Sequence, residues 1–494
     1  MTRRTRREFI GTGALAACGR AADERPNIVI YYVDELRATA LRMHNPDGLA
    51  TPNLERLAQR GVTFDNAFTP HPLCMPARSS LWTGQYTHTT GSRDNQHPLR
   101  DDRVTMSDIL HKAGYALGIF GKNHCFTAPQ LKRWFAANYS SGSRQWNEAL
   151  TPQVAGQVKA LRKWIADRGG GTMPPEAHPF PAEVCDTHLC TQRAIEFIEK
   201  KRQGPFAAWI SITDPHHPMQ APESFARGVP SPGQVKLPPY RKGEIRGKNT
   251  RMQIYEYLVR GEEIPEDFLR RYLSIYYAMV AQIDHEVGRL MTTLERTGLD
   301  RNTIVLFTSD HGDFAGEHHL ILKTGSMLDS MVRIPLILSW PGRVARGLRE
   351  KALVSHVDLM PTLLQFCGLS VPQSVEGIAL PLQSSARRRD WIYSEYGAGE
   401  AEFTWEDARK LGPAKRLGDY SLKSQAESQG LEKREHGGHL RMARTHTHKL
   451  SVDSNDEVEF YDLVKDPHET ENVHGRPEYR AAEEDLRRKL ETMK

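Results

Sequence analysis

The sequence has few cysteines, no long apolar run and no basic stripe. Six cysteines in 494 residues are too few for a fold built on disulfides. No apolar run beyond the N-terminal segment is long enough to span a membrane. The formal charge is +5, and four arginines between residues 3 and 7 against Glu8 supply +3 of it, so nothing points to nucleic acid as a partner. We expect one or two globular domains with free, mostly buried thiols at Cys125, Cys185, Cys190 and Cys367.

The N-terminus has the pattern of an export signal. Arg6 and Arg7 precede a small, apolar run at residues 11–17, which resembles a twin-arginine signal, a route that carries folded proteins. Residues 15–19 resemble a lipobox, at which Cys18 would be lipidated. We expect residues 1–25 to direct export to the periplasm or another extracytoplasmic site, with a lipid anchor at Cys18 as the one membrane contact. The alternative is a disordered basic tail with a chance lipobox.

Four short apolar runs each end in polar residues. They span residues 28–33, 116–120, 206–212 and 303–309. Runs of this kind are typical of strands buried on both faces of a parallel sheet. Ligands in α/β folds gather at the carboxyl ends of such strands, so we expect the polar segments to converge in space. These segments are residues 34–35, 121–124, 214–217 and 310–313.

The chain predicts an α/β domain followed by a smaller one. Residues 266–296 carry apolar side chains at spacings of three and four, which predicts a long, core-facing helix. From residue 376 the pattern changes to short strands at 441–445, 449–452 and 459–463, a closing helix at 479–493 and a long loop at 399–439. We predict a large mixed, mostly parallel sheet flanked by helices in residues 26–375 and an α+β domain in residues 376–494.

The most informative motif surrounds Cys74. Residues 73–84, Leu-Cys-Met-Pro-Ala-Arg-Ser-Ser-Leu-Trp-Thr-Gly, resemble the signature of the sulfatase family, Cys-x-Pro-x-Arg followed by a short helix. Ala77 stands where the family usually has serine. Pro76 suits a first helical turn, which places Cys74 beside a helix N-terminus, where thiol pKa falls and anions are favoured. Taken alone, the motif is equally compatible with a buried structural cysteine.

Further motifs extend the resemblance along the chain. Gly-Lys-x-His at residues 121–124 and Pro-His-x-Pro at 215–218 match the family, as does the second long signature at 309–318 with Lys323 downstream. Residues 357–364 and 460–470 are also typical of sulfatases. The resemblance implies an alkaline-phosphatase-like fold, and it leaves residues 127–181 and 399–439 unmatched.

The resemblance implies a divalent metal, with Ca²⁺ ahead of Mg²⁺ or Mn²⁺. Oxygen-rich ligand sets suit such hard cations. Glu35 stands where the family usually has a second aspartate. Some family members have asparagine in place of His311, whereas choline-sulfatase-like and phosphonate-monoester-hydrolase-like members have histidine. The implied ligands are Asp34, Glu35, Cys74, Asp310 and His311.

The resemblance also implies a mechanism. A maturation enzyme oxidises Cys74 to formylglycine, whose hydrate attacks sulfur to form a sulfated enzyme intermediate, and the second hydroxyl then expels sulfate. His124 is the implied base for that expulsion. His216 would protonate the leaving alkoxide, with His217 as its rival. The implied charge-stabilising and contact residues are Arg78, holding formylglycine, Lys122 and Lys323, binding sulfate, and Asn95.

The predicted function is therefore hydrolysis of a small-molecule or carbohydrate sulfate ester. Trp134, Trp146 and Trp164, in the unmatched region, are candidates for stacking on a sugar. A phosphonate or phosphate diester hydrolase of the same superfamily is an alternative that His311 favours and Gly-Lys-x-His disfavours. A second alternative is a catalytically silent surface lipoprotein that binds sulfated glycans.

Overall fold

The computed structural model describes residues 25–168, 175–383, 385–414 and 437–493. The predicted export signal and Cys18 lie outside these residues. In this part of the chain, no helix combines the length and apolar character needed to cross a membrane. Its five cysteines are buried and free, which confirms the prediction for Cys125, Cys185, Cys190 and Cys367.

Among the described residues, eleven strands precede the C-terminal region, and nine of them form one mixed sheet. They are β1 (Asn27–Asp34), β2 (Gly61–Phe68), β3 (Ala116–Gly121), β4 (Ala137–Ser140), β5 (Glu176–His178), β6 (Phe206–Pro215), β7 (Gln220–Pro222), β8 (Thr303–Ser309), β9 (Arg333–Ile334), β10 (Leu336–Ser339) and β11 (Leu348–Ser355). The sheet order is β11-β2-β10-β8-β1-β6-β3-β4, with β9 beside β2, while β5 and β7 pair with each other. The predicted fold class is confirmed.

The four predicted apolar runs are neighbouring parallel strands. β8, β1, β6 and β3 follow one another in the sheet, and each pairing among them is parallel. The side chains of β1 alternate between two hydrophobic cores, with Val29 and Tyr31 on one face and Ile28 and Ile30 on the other. Burial on both faces explains why the runs are almost continuously apolar. The carboxyl ends of these strands therefore meet at one edge.

Helices cover both faces of the sheet. The predicted helix at 266–296 is confirmed in full, and Asp284 on it accepts a 2.8 Å hydrogen bond from the backbone N–H of Leu54, so this carboxylate is structural. The helices before the C-terminal region are α1 (Pro52–Gln59), α2 (Cys74–Thr83), α3 (Thr87–Thr90), α4 (Met106–Lys112), α5 (Ala128–Trp134), α6 (Arg144–Glu148), α7 (Pro152–Asp167), α8 (Asp186–Glu199), α9 (Glu223–Ala226), α10 (Thr250–Val259), α11 (Glu266–Arg296), α12 (Asp329–Val332) and α13 (Leu359–Phe366).

A small antiparallel sheet forms the C-terminal part. It comprises β12 (Ile392–Tyr396), β13 (Leu440–Arg444), β14 (His448–Val452) and β15 (Val458–Asp462), in that order. Its closing helix, the last one described, is Arg480–Glu491. The three strands and the helix predicted here are confirmed to within a few residues. The division of the chain at residues 375 and 376 stays a prediction.

Two expectations for the unmatched regions were wrong. Trp134 and Trp146 are only 4% and 2% exposed and pack in the hydrophobic cores, so they cannot stack on a sugar. Trp164 is half-buried, with the guanidinium carbon of Arg168 3.7 Å from its ring centroid, and its role in stacking on a sugar stays a prediction. The segment predicted as a loop at 399–439 contains a helix, Trp405–Leu411, which begins with a capping box at Thr404. Residues 415–436 of that segment lie outside the described part.

Candidate active site

A buried arginine organises the edge where the strands meet. Arg78, on α2, donates from Nη2 to Asp34 at 2.7 Å and to Asp310 at 3.0 Å. All three side chains are fully buried. The two aspartates directly end β1 and follow β8, which are adjacent parallel strands. The guanidinium of Arg78 therefore connects the helix that carries Cys74 to both strand ends that are predicted to supply metal ligands.

Cys74 is the first residue of α2, at the centre of this group. Its Sγ lies 3.2 Å from Nε2 of His311 and 3.5 Å from Oδ1 of Asp34. Nζ of Lys323 donates to the same sulfur at 3.3 Å. Burial and Asp34 raise the pKa of the thiol, but Lys122, Lys323 and His311 outweigh them, and the pKa lies well below its ordinary value. Position 74 therefore favours an anion.

Lys122 and Lys323 bring positive charge from two further directions. Lys122, directly after β3, lies 2.6 Å from Oδ2 of Asp34, and Lys323 lies 3.1 Å from Oε2 of Glu35. Their side chains are only 18% and 13% exposed. Burial raises the pKa of Asp34, but Lys122, His216, Arg78 and Lys323 together hold it well below its usual range. An anionic ligand that enters here would meet cations that are already in place.

The neighbouring carboxyl and imidazole groups titrate differently. Burial and the charge of Asp34 raise the pKa of Asp310 to about 6, despite His311 and Arg78. Burial lowers the pKa of His311, but Asp310 and Cys74 together outweigh it and raise the pKa to about 9. His311 also pairs through Nδ1 with the carbonyl of Gly312 at 2.9 Å, which leaves Nε2 directed at Cys74. A carbonyl partner of this kind fixes the ring of a metal-ligating histidine.

The donor set at this edge fits a divalent cation. Asp34, Cys74, Asp310 and His311 are buried, and one ligand atom from each lies within 4.8 Å of the others. Two carboxylates and an imidazole suit a hard cation or a borderline one. Oε1 of Glu35 is buried and has no hydrogen-bond partner in the described part of the chain, so it is available to a cation as well.

Glu35 faces a different group from the four residues beside it. It adopts a left-handed backbone conformation, with φ of 70°, and its Oε2 contacts Lys323 and lies 3.5 Å from Nε2 of His216. Glu35, His216 and His217 also bring ligand atoms within 4.8 Å of one another. Whether Glu35 binds the same cation as Asp34 stays a prediction.

The remaining predicted residues surround this group. Nδ1 of His216 pairs with the carbonyl of His217 at 2.7 Å, and the two imidazoles stack with centroids 3.9 Å apart. Asn95 accepts a 3.1 Å hydrogen bond from the backbone N–H of Met75, next to Cys74. His124 follows β3, but within the described residues it makes no hydrogen bond or ion pair with the group at Cys74, and its Nδ1 is buried without a partner.

Several residues that hold Arg78 were not predicted from the sequence. Ser211 accepts a 2.5 Å hydrogen bond from Nη1 of Arg78, and the rings of Tyr32 and Trp209 lie 4.9 and 5.9 Å from its guanidinium carbon. These residues lie inside predicted strands, and their direction could have been derived from strand alternation once β1 and β6 were known to be neighbours.

Comparisons with known proteins identify the family. The sulfatase family model matches residues 26–369. An arylsulfatase from Clostridium perfringens is 27% identical over 404 residues, which cover 76% of this chain and 82% of that protein. An N-acetylglucosamine-6-O-sulfatase from Bacteroides thetaiotaomicron is 25% identical, with 97% of this chain and 88% of that protein covered.

A solved structure gives the same result for the fold. The crystal structure of a phosphonate monoester hydrolase from Agrobacterium radiobacter superposes with a TM-score of 0.76 at 22% identity, and the match covers 95% of each chain. The family match spans most of the chain and includes the strand ends that carry the buried group at Cys74. This chain belongs to the sulfatase family.

Proposed function

We propose that this protein hydrolyses sulfate esters and that its nucleophile is a formylglycine made from Cys74 by a maturation enzyme. The observation that carries the proposal is the position of Cys74 at the first residue of α2, with Lys323 and His311 within 3.3 Å of its sulfur. Helix N-termini and fixed cations favour an anionic ligand. The hydrated aldehyde supplies an oxygen nucleophile that the thiol lacks.

We propose that Asp34, Asp310, His311 and position 74 hold one divalent cation, Ca²⁺ in preference to Mg²⁺ or Mn²⁺, with Glu35 as a further ligand. Their converging ligand atoms support this set. A cation bound there supplies Lewis acidity toward the oxygens of the sulfate and of residue 74.

The fixed cations of the chain have separate tasks in this proposal. Arg78 orients the site because it is fully buried and bonded to both Asp34 and Asp310. Lys122 and Lys323 pair with Asp34 and Glu35 but are partly exposed, so their ammonium groups would also contact the oxygens of the sulfate group and balance charge as the ester bond breaks.

Two histidines are proposed to move protons. His216 would protonate the leaving alkoxide through Nε2, since its Nδ1 pairs with the carbonyl of His217. His217 stacks on His216 and remains the rival. His124 would act as the base at residue 74. Turnover of His216→Asn and of His217→Asn is compared on sulfate esters with good and with poor leaving groups. The variant that has lost the acid should lose most activity on the poor leaving groups.

The substrate class proposed is a sulfated carbohydrate or a small sulfate ester. Its support is the likeness to proteins named for aryl sulfate and for N-acetylglucosamine 6-O-sulfate. We further propose export by the twin-arginine route to the periplasm, with a lipid anchor at Cys18. Fractionation of cells that express the wild type or Cys18→Ala tests both parts.

The deciding experiment is a comparison of ester classes. Protein made together with a maturation enzyme is assayed on matched aryl sulfate, phosphonate monoester and phosphate diester substrates. We expect the highest kcat/KM for the sulfate. A preference for the phosphonate would instead favour the second candidate function, a phosphonate or phosphate diester hydrolase, for which the observation is the contact between His311 and Cys74. The absence of turnover with all three would favour a silent glycan-binding lipoprotein.

A further inference from the structure

The loop of residues 91–97 is fixed against the helix that carries Cys74. Asn95 accepts the hydrogen bond from the backbone N–H of Met75, and Ser92 pairs with Ser79 on the same helix at 3.0 Å. Asp94 accepts two hydrogen bonds from backbone N–H groups of the loop itself. These hydrogen bonds therefore hold the loop in place beside the candidate active site.

Arg93 lies on this loop, two residues before Asn95, whose amide reaches the first turn of α2 beside Cys74. The side chain of Arg93 is half-buried. In the part of the chain that the structure describes, Arg93 forms no hydrogen bond and no ion pair. A half-buried guanidinium without an anion is uncommon, because its charge is partly removed from water.

One histidine near Arg93, His88, is shifted toward its charged form. His88 and His439 bind opposite oxygens of Glu395 at 2.8 and 3.0 Å. The hydrogen bond to Glu395 raises the pKa of His88 above its ordinary value, although burial and the charge of Arg93 oppose the rise. Arg93 is therefore within electrostatic reach of His88, between the loop and the C-terminal sheet.

The acidic groups around Arg93 already have other partners. Glu395 also accepts hydrogen bonds from Thr87 and Tyr393, and its pKa is held well below its ordinary value by its histidine partners, despite burial. Glu376 accepts from the backbone N–H of Tyr86 at 2.7 Å. Asp94 is bonded within its own loop. These contacts leave the guanidinium of Arg93 available to a ligand.

We infer that Arg93 binds a second anionic group of the substrate, a carboxylate or a second sulfate, while the scissile sulfate lies at Cys74. A guanidinium presents paired N–H donors that match either group in a bidentate manner. The inference rests on the proposed sulfate ester hydrolysis and narrows its substrate class to saccharides that carry two negative charges.

Matched substrate pairs test this inference. One pair is N-acetylglucosamine 6-O-sulfate and glucosamine 2-N,6-O-disulfate, and the other is glucose 2-sulfate and glucuronic acid 2-sulfate. The wild type should favour the dianion of at least one pair by about 10- to 100-fold in kcat/KM, the range expected for a hydrogen bond to a charged group. The pair that shows the preference identifies the second group as sulfate or carboxylate.

Variants of Arg93 test whether this residue causes the preference for the dianion. Arg93→Met should reduce the ratio of kcat/KM for the dianion to kcat/KM for the monoanion to about one, while turnover of the monoanion changes little. Arg93→Lys should retain part of the preference, because an ammonium keeps the charge but loses the planar arrangement of N–H donors. Arg100→Met is the matched control, since Arg100 is exposed and pairs with Asp102. It should leave the ratio unchanged.

Calorimetry separates this inference from the proposed function. In Cys74→Ala protein, the dianion should bind more tightly than the monoanion, and Arg93→Met should abolish the difference whether or not the wild type turns the ester over. Equal binding of both members in both pairs, or a preference that survives in Arg93→Met, would overturn the inference. Absence of turnover with intact selective binding would instead contradict sulfate ester hydrolysis.

Discussion

Two buried charge networks of this protein have opposite designs. The active-site network, defined as Asp34, Asp310, His311, Arg78, Lys122 and Lys323, surrounds Cys74. The inter-sheet network, defined as Asp329, Arg444, Lys449 and Glu469, joins α12 to the C-terminal sheet, with Arg444 donating to both oxygens of Asp329 at 3.1 and 2.9 Å and Lys449 lying 2.6 Å from Glu469.

The difference lies in what the cations converge on. In the inter-sheet network, the cations pair with the carboxylates of the same network. The guanidinium carbon of Arg444 also lies 4.5 Å from the ring centroid of Phe68. In the active-site network, Lys323 and His311 reach the sulfur of Cys74, which is not a permanent anion. A buried pair closed on itself is costly to break, whereas cations that converge on a reactive atom indicate a site.

Loss of Cys74 should have the largest effect on turnover. Cys74→Ala removes the nucleophile, so we expect kcat/KM for an aryl sulfate to fall by about 10⁴-fold or more, as for other covalent nucleophiles. The melting temperature should change little, because the thiol adds no packing that alanine lacks beyond one sulfur atom. Residual activity within tenfold of the wild type would contradict the assigned role.

Breaking the inter-sheet network should lower stability and leave substrate binding nearly unchanged. Asp329→Asn leaves Arg444 and Lys449 buried without their full partner, so the free energy of unfolding should fall by about 3–5 kcal/mol. Urea unfolding measures the loss. The folded fraction should retain near-normal KM, since Asp329 does not contact Cys74 in the described structure; a change in KM comparable to that of an active-site variant would erase the distinction between the two networks.

Lys323 offers an intermediate case. Lys323→Met removes a cation that contacts both Cys74 and Glu35, and kcat/KM for sulfate esters should fall by about 100-fold. Steady-state kinetics at saturating and limiting substrate show whether kcat or KM carries the loss. Lys112→Met serves as the control, because Lys112 is an exposed helix residue paired with Asp108. Equal effects of the two variants would refute a role for Lys323.

The smallest effect is the dependence of stability on pH. Burial raises the pKa of Asp329, but Arg444 and Lys449 hold it well below its ordinary value. A carboxyl with a depressed folded-state pKa stabilises the protein above its unfolded pKa and loses that contribution as pH falls toward the folded value. The stability difference between wild type and Asp329→Asn should therefore shrink as pH falls below about 4, a range that lies below the pKa of Glu469, the other carboxyl of this network, which is raised to about 7. A difference that grows as pH falls below about 4 would contradict the pairing.

The sequence predicted the active-site edge better than its surroundings. Asp34, Lys122, His216 and Asp310 follow buried strands, and apolar runs of this length locate strand ends well, so their convergence was predictable. The direction of Glu35 was not, because a φ of 70° is set by tertiary packing and turns its carboxyl toward Lys323.

The features that the sequence did not predict depend on contacts between distant segments of the chain. His88 and Glu395 lie 307 residues apart in sequence, and no local pattern indicates their pairing. Trp134 and Trp146 carry no sequence signal that separates a core position from an exposed sugar platform, and only packing decided between them.

The most direct test of the account is the mass of the peptide that contains residue 74. Protein produced with a formylglycine-generating maturation enzyme is digested and analysed by mass spectrometry beside protein produced without it. We predict that the co-produced peptide carries an aldehyde in place of the Cys74 thiol and that sulfate ester turnover rises in proportion to its fraction. A thiol retained at Cys74 in fully active protein would contradict the account.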